Sequence, residues 1–121
     1  MNYKLTSLTP MLETKDLIGT LKFYTEKLYF ICDNHSEEWG WAHLHKDDVN
    51  IMFSVPNAHR NLKETMMSGS LYMNTDDVEI LWDSLKTDVK ICYPMEDFEY
   101  GMREFAIYDN NGYILQFGKS I

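Results

Sequence analysis

Apolar residues recur along this chain at two spacings, one typical of helices and one typical of strands. In the first half, the helical spacing predicts a helix over about residues 16–28, with Asp16 placed to cap its first turn. A strand over residues 5–14 is expected before this helix, and three short strands are expected after it, over residues 29–35, 40–45 and 50–55. The apolar stripe of the helix consists of Leu17, Leu21, Tyr24 and Leu28. The first half is therefore predicted to run β, α, β, β, β.

The same order of elements recurs in the second half. A strand over residues 70–74 leads into a helix opened by Thr75, Asp76 and Asp77, and strands follow near residues 90–95, 103–108 and 113–117. A shift of 61 residues, from position 16 to position 77, pairs Asp16 with Asp77 and Thr14 with Thr75. A repeat of this length predicts two copies of one βαβββ module. Module one is placed at about 4–55, a connector at about 56–68 and module two at about 69–119, all within a single domain of residues 1–121. Chance similarity between two strand–helix starts is the alternative.

The composition limits the functions that are open to the chain. With 121 residues, of which 45% are apolar, the chain can build one core of ordinary size. Its net charge is −8, with 11 basic residues beside 19 acidic ones. This balance argues against a nucleic-acid partner, because such binding rests on Lys and Arg at phosphates. No apolar run approaches the roughly 20 residues that span a bilayer, so no membrane role is expected.

The two cysteines indicate the compartment. Cys32 and Cys92 form no CxxC pair, and the chain starts without an apolar signal segment. A disulfide framework and a zinc knuckle are therefore not expected. Both residues are predicted to be reduced, buried thiols in a cytoplasmic protein.

Three segments carry a resemblance to a known family. They are residues 15–28, which start Lys-Asp-Leu and end Phe-Tyr-Thr-Glu-Lys-Leu; residues 75–85, with Thr-Asp-Asp-Val, Trp82 and Leu85; and residues 102–118, a strand, an Asp-Asn-Asn-Gly turn and a strand. The chain resembles the vicinal oxygen chelate group, which includes the glyoxalase, bleomycin-resistance and extradiol dioxygenase proteins. The resemblance implies an α+β fold in which two tandem βαβββ modules form a cup-shaped mixed sheet around a ligand site, with the helices packed outside. Asn111-Gly112 suits the last hairpin, since both residues tolerate positive φ.

The same resemblance implies four positions at which metal-dependent relatives hold an ion with His and Glu side chains. Those positions fall on Thr9, Met52, Ser70 and Gln116. A thioether, two hydroxyls and an amide carry no charge and bind such ions weakly, so no metal and no other cofactor is expected. The alternative is an enzyme with displaced ligands, for which His43, His45 and Glu104 are the candidates. Glu104 with His43 is also the one acid–base couple that the pattern allows.

Strand alternation separates the predicted core from the predicted lining of the cup. The core side carries Ile51, Phe53, Leu71, Met73, Leu115 and Phe117. The ligand-binding residues expected on the opposite side are Met11, Glu13, Trp41, His43, Met52, Tyr72, Glu104, Tyr108 and Gln116. Aromatic faces, thioethers and two carboxylates suit a flat or cationic organic ligand.

Blander interpretations stay open for this lining. Trp39, Trp41, Tyr72 and the methionines are equally compatible with an ordinary core, and Glu13 and Glu104 with solvated charges at strand edges. A cup filled by its own side chains would hold no cavity of ligand size.

The start of the chain bears on assembly. Pro10 follows a short N-terminal arm, at a position where the resemblance implies exchange of strands between subunits. A homodimer with the ligand site near its interface is therefore expected. The predicted function is a metal-free small-molecule-binding protein of the bleomycin-resistance type; the alternative is a metal-dependent enzyme of the glyoxalase or dioxygenase type.

Overall fold

The computed structural model describes residues 2–57 and 66–121, which fall into two compact units, Met1–Lys63 (unit 1) and Glu64–Ile121 (unit 2). Most of the predicted connector, with His59, lies outside the described residues. No helix of the described residues is long and apolar enough to cross a membrane.

Each unit has one four-stranded mixed sheet and one helical segment. In unit 1 the elements are β1 (Met11–Glu13), α1 (Leu17–Lys22, continued by a π-helical turn over Phe23–Lys27), β2 (Ile31–Ser36), β3 (Trp41–Lys46) and β4 (Val49–Ser54). In unit 2 they are β5 (Leu71–Asn74), α2 (Val78–Leu85), β6 (Ile91–Phe98), β7 (Met102–Tyr108) and β8 (Ile114–Ser120). The strand orders are β1-β4-β3-β2 and β5-β8-β7-β6, with only the first pair of each sheet parallel. The α+β class and the repeated βαβββ order are confirmed.

The repeat extends to the hydrogen bonds at the start of each helix. The Asp16 carboxylate accepts a bond from the Gly19 amide at 2.9 Å, and the Asp77 carboxylate accepts one from the Ile80 amide at 3.1 Å. Thr14 and Thr75 each accept, through the side-chain hydroxyl, a bond from the amide of the capping aspartate. The predicted shift of 61 residues therefore pairs positions with the same local role.

The first strand and the first helix differ from the prediction. The predicted strand over residues 5–14 is wrong for its first half, since residues 2–10 have no regular secondary structure. The carbonyl of Pro10 accepts a bond from the Met52 amide at 2.8 Å, but proline has no N–H with which to extend a ladder. The predicted helix ends in a π-helical turn, where the Thr25 hydroxyl donates to the Leu21 carbonyl at 2.7 Å.

The turns explain other shifted boundaries. Tyr29 has a φ of 61°, in the left-handed region, so β2 begins two residues later than predicted, at Ile31. In the last hairpin Gly112 takes positive φ, at 88°, whereas Asn111, which also tolerates such a conformation, does not adopt it. The Asp109 carboxylate holds that turn by accepting bonds from the amides of Asn111, at 2.8 Å, and Tyr113, at 2.9 Å.

Aromatic side chains fasten each helix to one face of its sheet. In unit 1, the Tyr24 ring lies 5.0 Å from that of Phe53 on β4, and in unit 2 the Trp82 ring lies 5.1 Å from that of Phe105 on β7. The opposite side of each sheet is called its open face below. Cys32 and Cys92 are both free and only half-buried, so their predicted burial is wrong.

Candidate ligand-binding site

The open face of unit 1 carries five of the predicted lining residues. Strand pairing sets Met52 on β4 beside Met11 on β1 and His43 on β3, while Trp41 lies beside Ser54 at the other end of β3. The core residues Ile51 and Phe53 alternate with these and point to the helix side, at 1% and 0% exposure. The predicted sorting of β4 into core and open face is confirmed. The five residues are Met11, Glu13, Trp41, His43 and Met52.

A cavity of about 460 Å³ opens on this face at the end where β3 begins. Two indoles, a thioether, two hydroxyls and an amide form its wall: Met11, Ser36, Trp39, Trp41, Ser54 and Asn57. Ligand pockets in proteins usually measure about 300–1,000 Å³ and combine apolar walls with a few polar groups. The cavity therefore has a volume and a wall chemistry within the range of small-molecule sites.

The turn between β2 and β3 places the two tryptophans. Gly40 has a φ of 67°, and a Cβ there would lie 2.2 Å from a methyl group of Val55, so another residue would not fit. The Gly40 amide donates to the Ser36 carbonyl at 2.8 Å, and the Val55 amide donates to the Gly40 carbonyl at 2.8 Å. These two hydrogen bonds fix the backbone of Gly40, and with it the positions of Trp39 and Trp41 on either side.

Only Met11 and Trp41 of the predicted lining reach the cavity wall. Trp39 is 82% exposed, so its interpretation as a core residue is wrong. Sequence reasoning missed Ser36, Trp39 and Asn57 as lining residues. The sequence signal for Trp39 was a glycine between two tryptophans. Such a glycine indicates a turn, and a large aromatic side chain in a turn does not pack into the core.

The two histidines of β3 are engaged with an aspartate. The Nδ1 atom of His45 lies 2.7 Å from the Asp33 carboxylate, and the Nδ1 atom of His43 lies 3.8 Å from the same oxygen. The Nε2 atom of His43 also lies 2.9 Å from the Asn50 side-chain oxygen. Asp33 was not predicted; a register shift in β2 between Cys32 and Asn34 turns it towards the histidines.

The open face of unit 2 is organised around Glu104, whose side chain is buried at 1% exposure. The Tyr72 hydroxyl donates to one carboxylate oxygen at 2.9 Å, and the Tyr93 hydroxyl donates to the other. The Gln116 amide nitrogen donates to the Tyr93 oxygen at 2.9 Å, and the Ser70 hydroxyl donates to the Gln116 oxygen at 2.5 Å. These residues (Ser70, Tyr72, Tyr93, Glu104 and Gln116) are called the Glu104 network below.

Burial and hydrogen bonds shift the pKa values of the ionisable groups in the Glu104 network. Burial alone would raise the pKa of Glu104, but hydrogen bonds from Tyr93, Tyr100 and Tyr72 outweigh it and lower that pKa below its usual value. Burial and the hydrogen bond to Glu104 raise the pKa of Tyr72 to about 12 and raise that of Tyr93 as well. At neutral pH the site is therefore a buried carboxylate held by neutral phenols.

Glu13 and Glu104 are both buried, at 3% and 1% exposure, which contradicts their interpretation as solvated strand-edge charges. Tyr108 also lies on the open face of unit 2, but outside the Glu104 network. A hydrogen bond with Cys92 raises its pKa, and the Lys90 ammonium lies 5.0 Å from its ring centre. Tyr93 and Tyr100 were missed by sequence reasoning.

The residues at the four family metal positions do not fit a metal. Two of them, Ser70 and Gln116, are bonded to each other, and Met52 and Thr9 supply only a thioether and a hydroxyl. Within residues 2–57 and 66–121, no group of three or more His, Cys, Asp or Glu side chains is arranged to hold an ion. His43, His45 and Asp33 therefore do not amount to a metal centre, and His43 and Glu104 belong to different units.

Comparison with known proteins identifies the family. The model of the Glyoxalase/Bleomycin resistance protein/Dioxygenase superfamily matches residues 8–117. The chain belongs to this superfamily. A search of the curated proteins finds no match to this member of it.

Several solved structures share the fold. A glyoxalase/bleomycin resistance protein/dioxygenase from Nocardioides is 17% identical with a TM-score of 0.77, covering 99% of this chain and 87% of that one. A bleomycin-binding protein complexed with bleomycin is 19% identical with a TM-score of 0.71, covering 97% and 100% of the two chains. A protein of unknown function from Agrobacterium tumefaciens str. C58 is 16% identical with a TM-score of 0.81, covering 98% and 97%. At these identities the likeness concerns the fold.

Proposed function

We propose that this superfamily member is a metal-free small-molecule-binding protein of the bleomycin-resistance type, which sequesters an aromatic or cationic ligand without altering it. The observation that carries the proposal is the cavity of unit 1 with Trp39 and Trp41 in its wall. An exposed indole beside a cavity is available to a ligand, because no core packing engages its face.

The chemistry of the cavity favours a flat cation. Indole faces attract organic cations and stack on aromatic rings, and the Met11 thioether adapts to the shape of a ligand. The chain carries a net charge of −8, which raises the local concentration of cations at its surface. The structural relative that binds bleomycin supports the same class of function.

The other predicted lining residues extend this proposal. Glu13, His43 and Met52 lie on the open face of unit 1, and Tyr72, Glu104, Tyr108 and Gln116 lie on that of unit 2. We assign them to ligand binding as part of the same proposal, with the cavity wall of unit 1 as its centre.

The ligand test uses benzyltrimethylammonium, an aromatic cation, as the probe. Trp39→Ala should weaken binding about twofold to thirtyfold by calorimetric titration, since an indole–cation contact contributes about 0.5–2 kcal/mol. Trp39 is 82% exposed, so its removal leaves the core intact. The control is Trp82→Phe, which changes a tryptophan packed on Phe105 and should leave binding unchanged. Equal affinities for Trp39→Ala and the parent chain would contradict the proposal.

The metal-free part of the proposal has its own test. Elemental analysis of protein purified without chelator should find no stoichiometric metal, and Zn²⁺, Ni²⁺, Mn²⁺ or Fe²⁺ should not raise the melting temperature, because a ligand that prefers the native state must stabilise it. A stoichiometric metal with a matching thermal shift would favour the enzyme alternative. His43→Ala would then show whether displaced ligands hold the ion.

Assembly as a homodimer is the last part of the proposal. Three large apolar residues on the N-terminal arm are exposed, Tyr3 at 66%, Leu5 at 88% and Leu8 at 86%. Exposed apolar side chains grouped on one segment are typical of an interaction surface. We propose that a second copy of the chain covers this arm, either by packing against it or by exchanging arms with it.

A further inference from the structure

The hydrogen bonds of the Glu104 network have a fixed direction, and this direction determines what the surface of unit 2 offers to a ligand. An ionised carboxylate can only accept hydrogen bonds. The Tyr93 hydroxyl must therefore donate its single proton to Glu104, and its oxygen accepts a hydrogen bond from Gln116. Only the nitrogen of the Gln116 amide can donate that bond.

The hydrogen bonds of the exposed residues Ser70 and Tyr72 have a fixed direction for the same reason. Because the Gln116 nitrogen faces Tyr93, its oxygen faces Ser70 and must receive the Ser70 proton. Tyr72 likewise gives its proton to Glu104 at 2.9 Å. Ser70 directly precedes β5 and Tyr72 lies within it; both residues are exposed, and both hydrogen-bond to side chains of the open face. Each hydroxyl already donates its proton within the network, so it can meet a ligand only as an acceptor.

We propose that the open face of unit 2 is a recognition site for ligand groups that donate hydrogen bonds, a primary ammonium or an amidinium, with Ser70 Oγ and Tyr72 Oη as acceptors. The proposal rests on the proposed function, since it names the ligand chemistry for the residues of unit 2. The buried charge of Glu104 adds to the preference, because a negative charge behind the two oxygens attracts a cation in front of them.

A pair of matched probes separates this site from the tryptophan cavity. Benzylammonium and benzyltrimethylammonium share a ring and a positive charge, but only the first has N–H donors. In nuclear magnetic resonance titrations, the indole N–H signals of Trp39 and Trp41 report the cavity, and the side-chain amide signals of Gln116 report the Glu104 network. Benzylammonium should shift the Gln116 signals, and benzyltrimethylammonium should not. Shifts of Gln116 by both probes or by neither would overturn the inference.

Three substitutions complete the test. Ser70→Ala should weaken the binding of benzylammonium measured at Gln116 by about tenfold or more, since a hydrogen bond to a charged group is worth about 1.5 kcal/mol. Ser70→Thr keeps the hydroxyl and should keep the affinity. Glu104→Gln removes the charge that fixes the direction of the hydrogen bonds in the Glu104 network. The preference for benzylammonium over benzyltrimethylammonium should therefore fall. An unchanged affinity of Ser70→Ala for benzylammonium would overturn the inference. If both probes still shift the tryptophan signals in that case, the proposed function stands although the inference fails.

Discussion

Gly118 lies on β8 directly beneath the hydroxyl of Tyr72. A Cβ at this position would lie 2.0 Å from the Tyr72 oxygen, a distance that real atoms do not tolerate. We expect Gly118→Ala to push Tyr72 away from Glu104 and to lower the free energy of unfolding by about 1–3 kcal/mol, because the hydrogen bond of Tyr72 to a buried charge is lost. Chemical denaturation measures the change.

Gly69→Ala is the matched control for this substitution. A Cβ at Gly69 would meet nothing within 4 Å, so the free energy of unfolding should stay within about 0.5 kcal/mol of the parent value. Equal effects of the two substitutions would show that the close approach of Tyr72 to β8 has no energetic consequence.

The lowered pKa of Glu104 makes the stability of the fold dependent on pH. Because the pKa in the folded state is below the usual 4.5, the stabilisation is present above that pH and is lost as the pH falls through the folded pKa. Glu104→Gln should therefore cost about 1–3 kcal/mol of unfolding free energy at pH 7, where tyrosine bonds to a charge are lost. The difference between the parent chain and the variant should shrink in acid, measured by denaturation from pH 7 to pH 3.

Glu37→Gln removes a carboxylate from an exposed residue in the turn after β2 and serves as the control. It should change stability little at any of these pH values. A gap between the parent chain and Glu104→Gln that stays constant with pH would contradict the assignment of an ionised, stabilising carboxylate.

The sequence predicts residues on regular strands better than residues at turns and bulges. Period-two alternation places Met11, Trp41 and Gln116 on the open faces, because each strand they belong to is regular there. Tyr93 was missed since β6 shifts register on both sides of it, which breaks the alternation. Trp39 was missed because it lies in a turn, where burial follows from the backbone path rather than from spacing.

At the level of elements, the capping aspartates define where both helices begin. The Asp77 carboxylate accepts a bond from the Ile80 amide, and the loss of such a cap costs about 0.5–2 kcal/mol. Asp77→Ala should lower the free energy of unfolding by this amount, while Asp77→Asn, which can also cap, should lower it less. Asp76→Ala changes the exposed neighbour, which is not the capping residue of α2, and should have little effect. Thermal and chemical denaturation of the three variants measures these changes. A larger loss of stability in Asp76→Ala than in Asp77→Ala would contradict the assignment of Asp77 as the cap.

The order of elements follows from the sequence because spacing and caps agree in both modules. The capping signals at Asp16 and Asp77 repeat, and the apolar stripes behind them reach the core at Tyr24 and Leu85, both at 0% exposure. The element ends follow less well. Tyr29, in the left-handed region, delays β2, and neither a propensity nor a period signals such a residue.

For the whole molecule, the proposed dimer depends on the N-terminal arm. Residues 2–10 have no regular secondary structure, yet Leu5 and Leu8 expose most of their apolar surface. A symmetric dimer contains two arms with two leucines each, so four leucines would be covered. At about 1.5–3 kcal/mol for each buried leucine, they would contribute about 6 kcal/mol or more to association.

Leu5→Ser combined with Leu8→Ser should therefore convert a dimer into a monomer of 14.3 kDa, measured by light scattering after size-exclusion chromatography over a range of concentrations. The matched control is Ile80→Ser, which removes an apolar side chain that is 68% exposed on α2 rather than on the arm, and it should leave the mass unchanged. A parent chain that is monomeric at every concentration would contradict dimerisation itself. A double variant that stays dimeric would instead place the interface away from the arm, because the loss of four leucines from a contact that depends on them cannot leave its affinity intact.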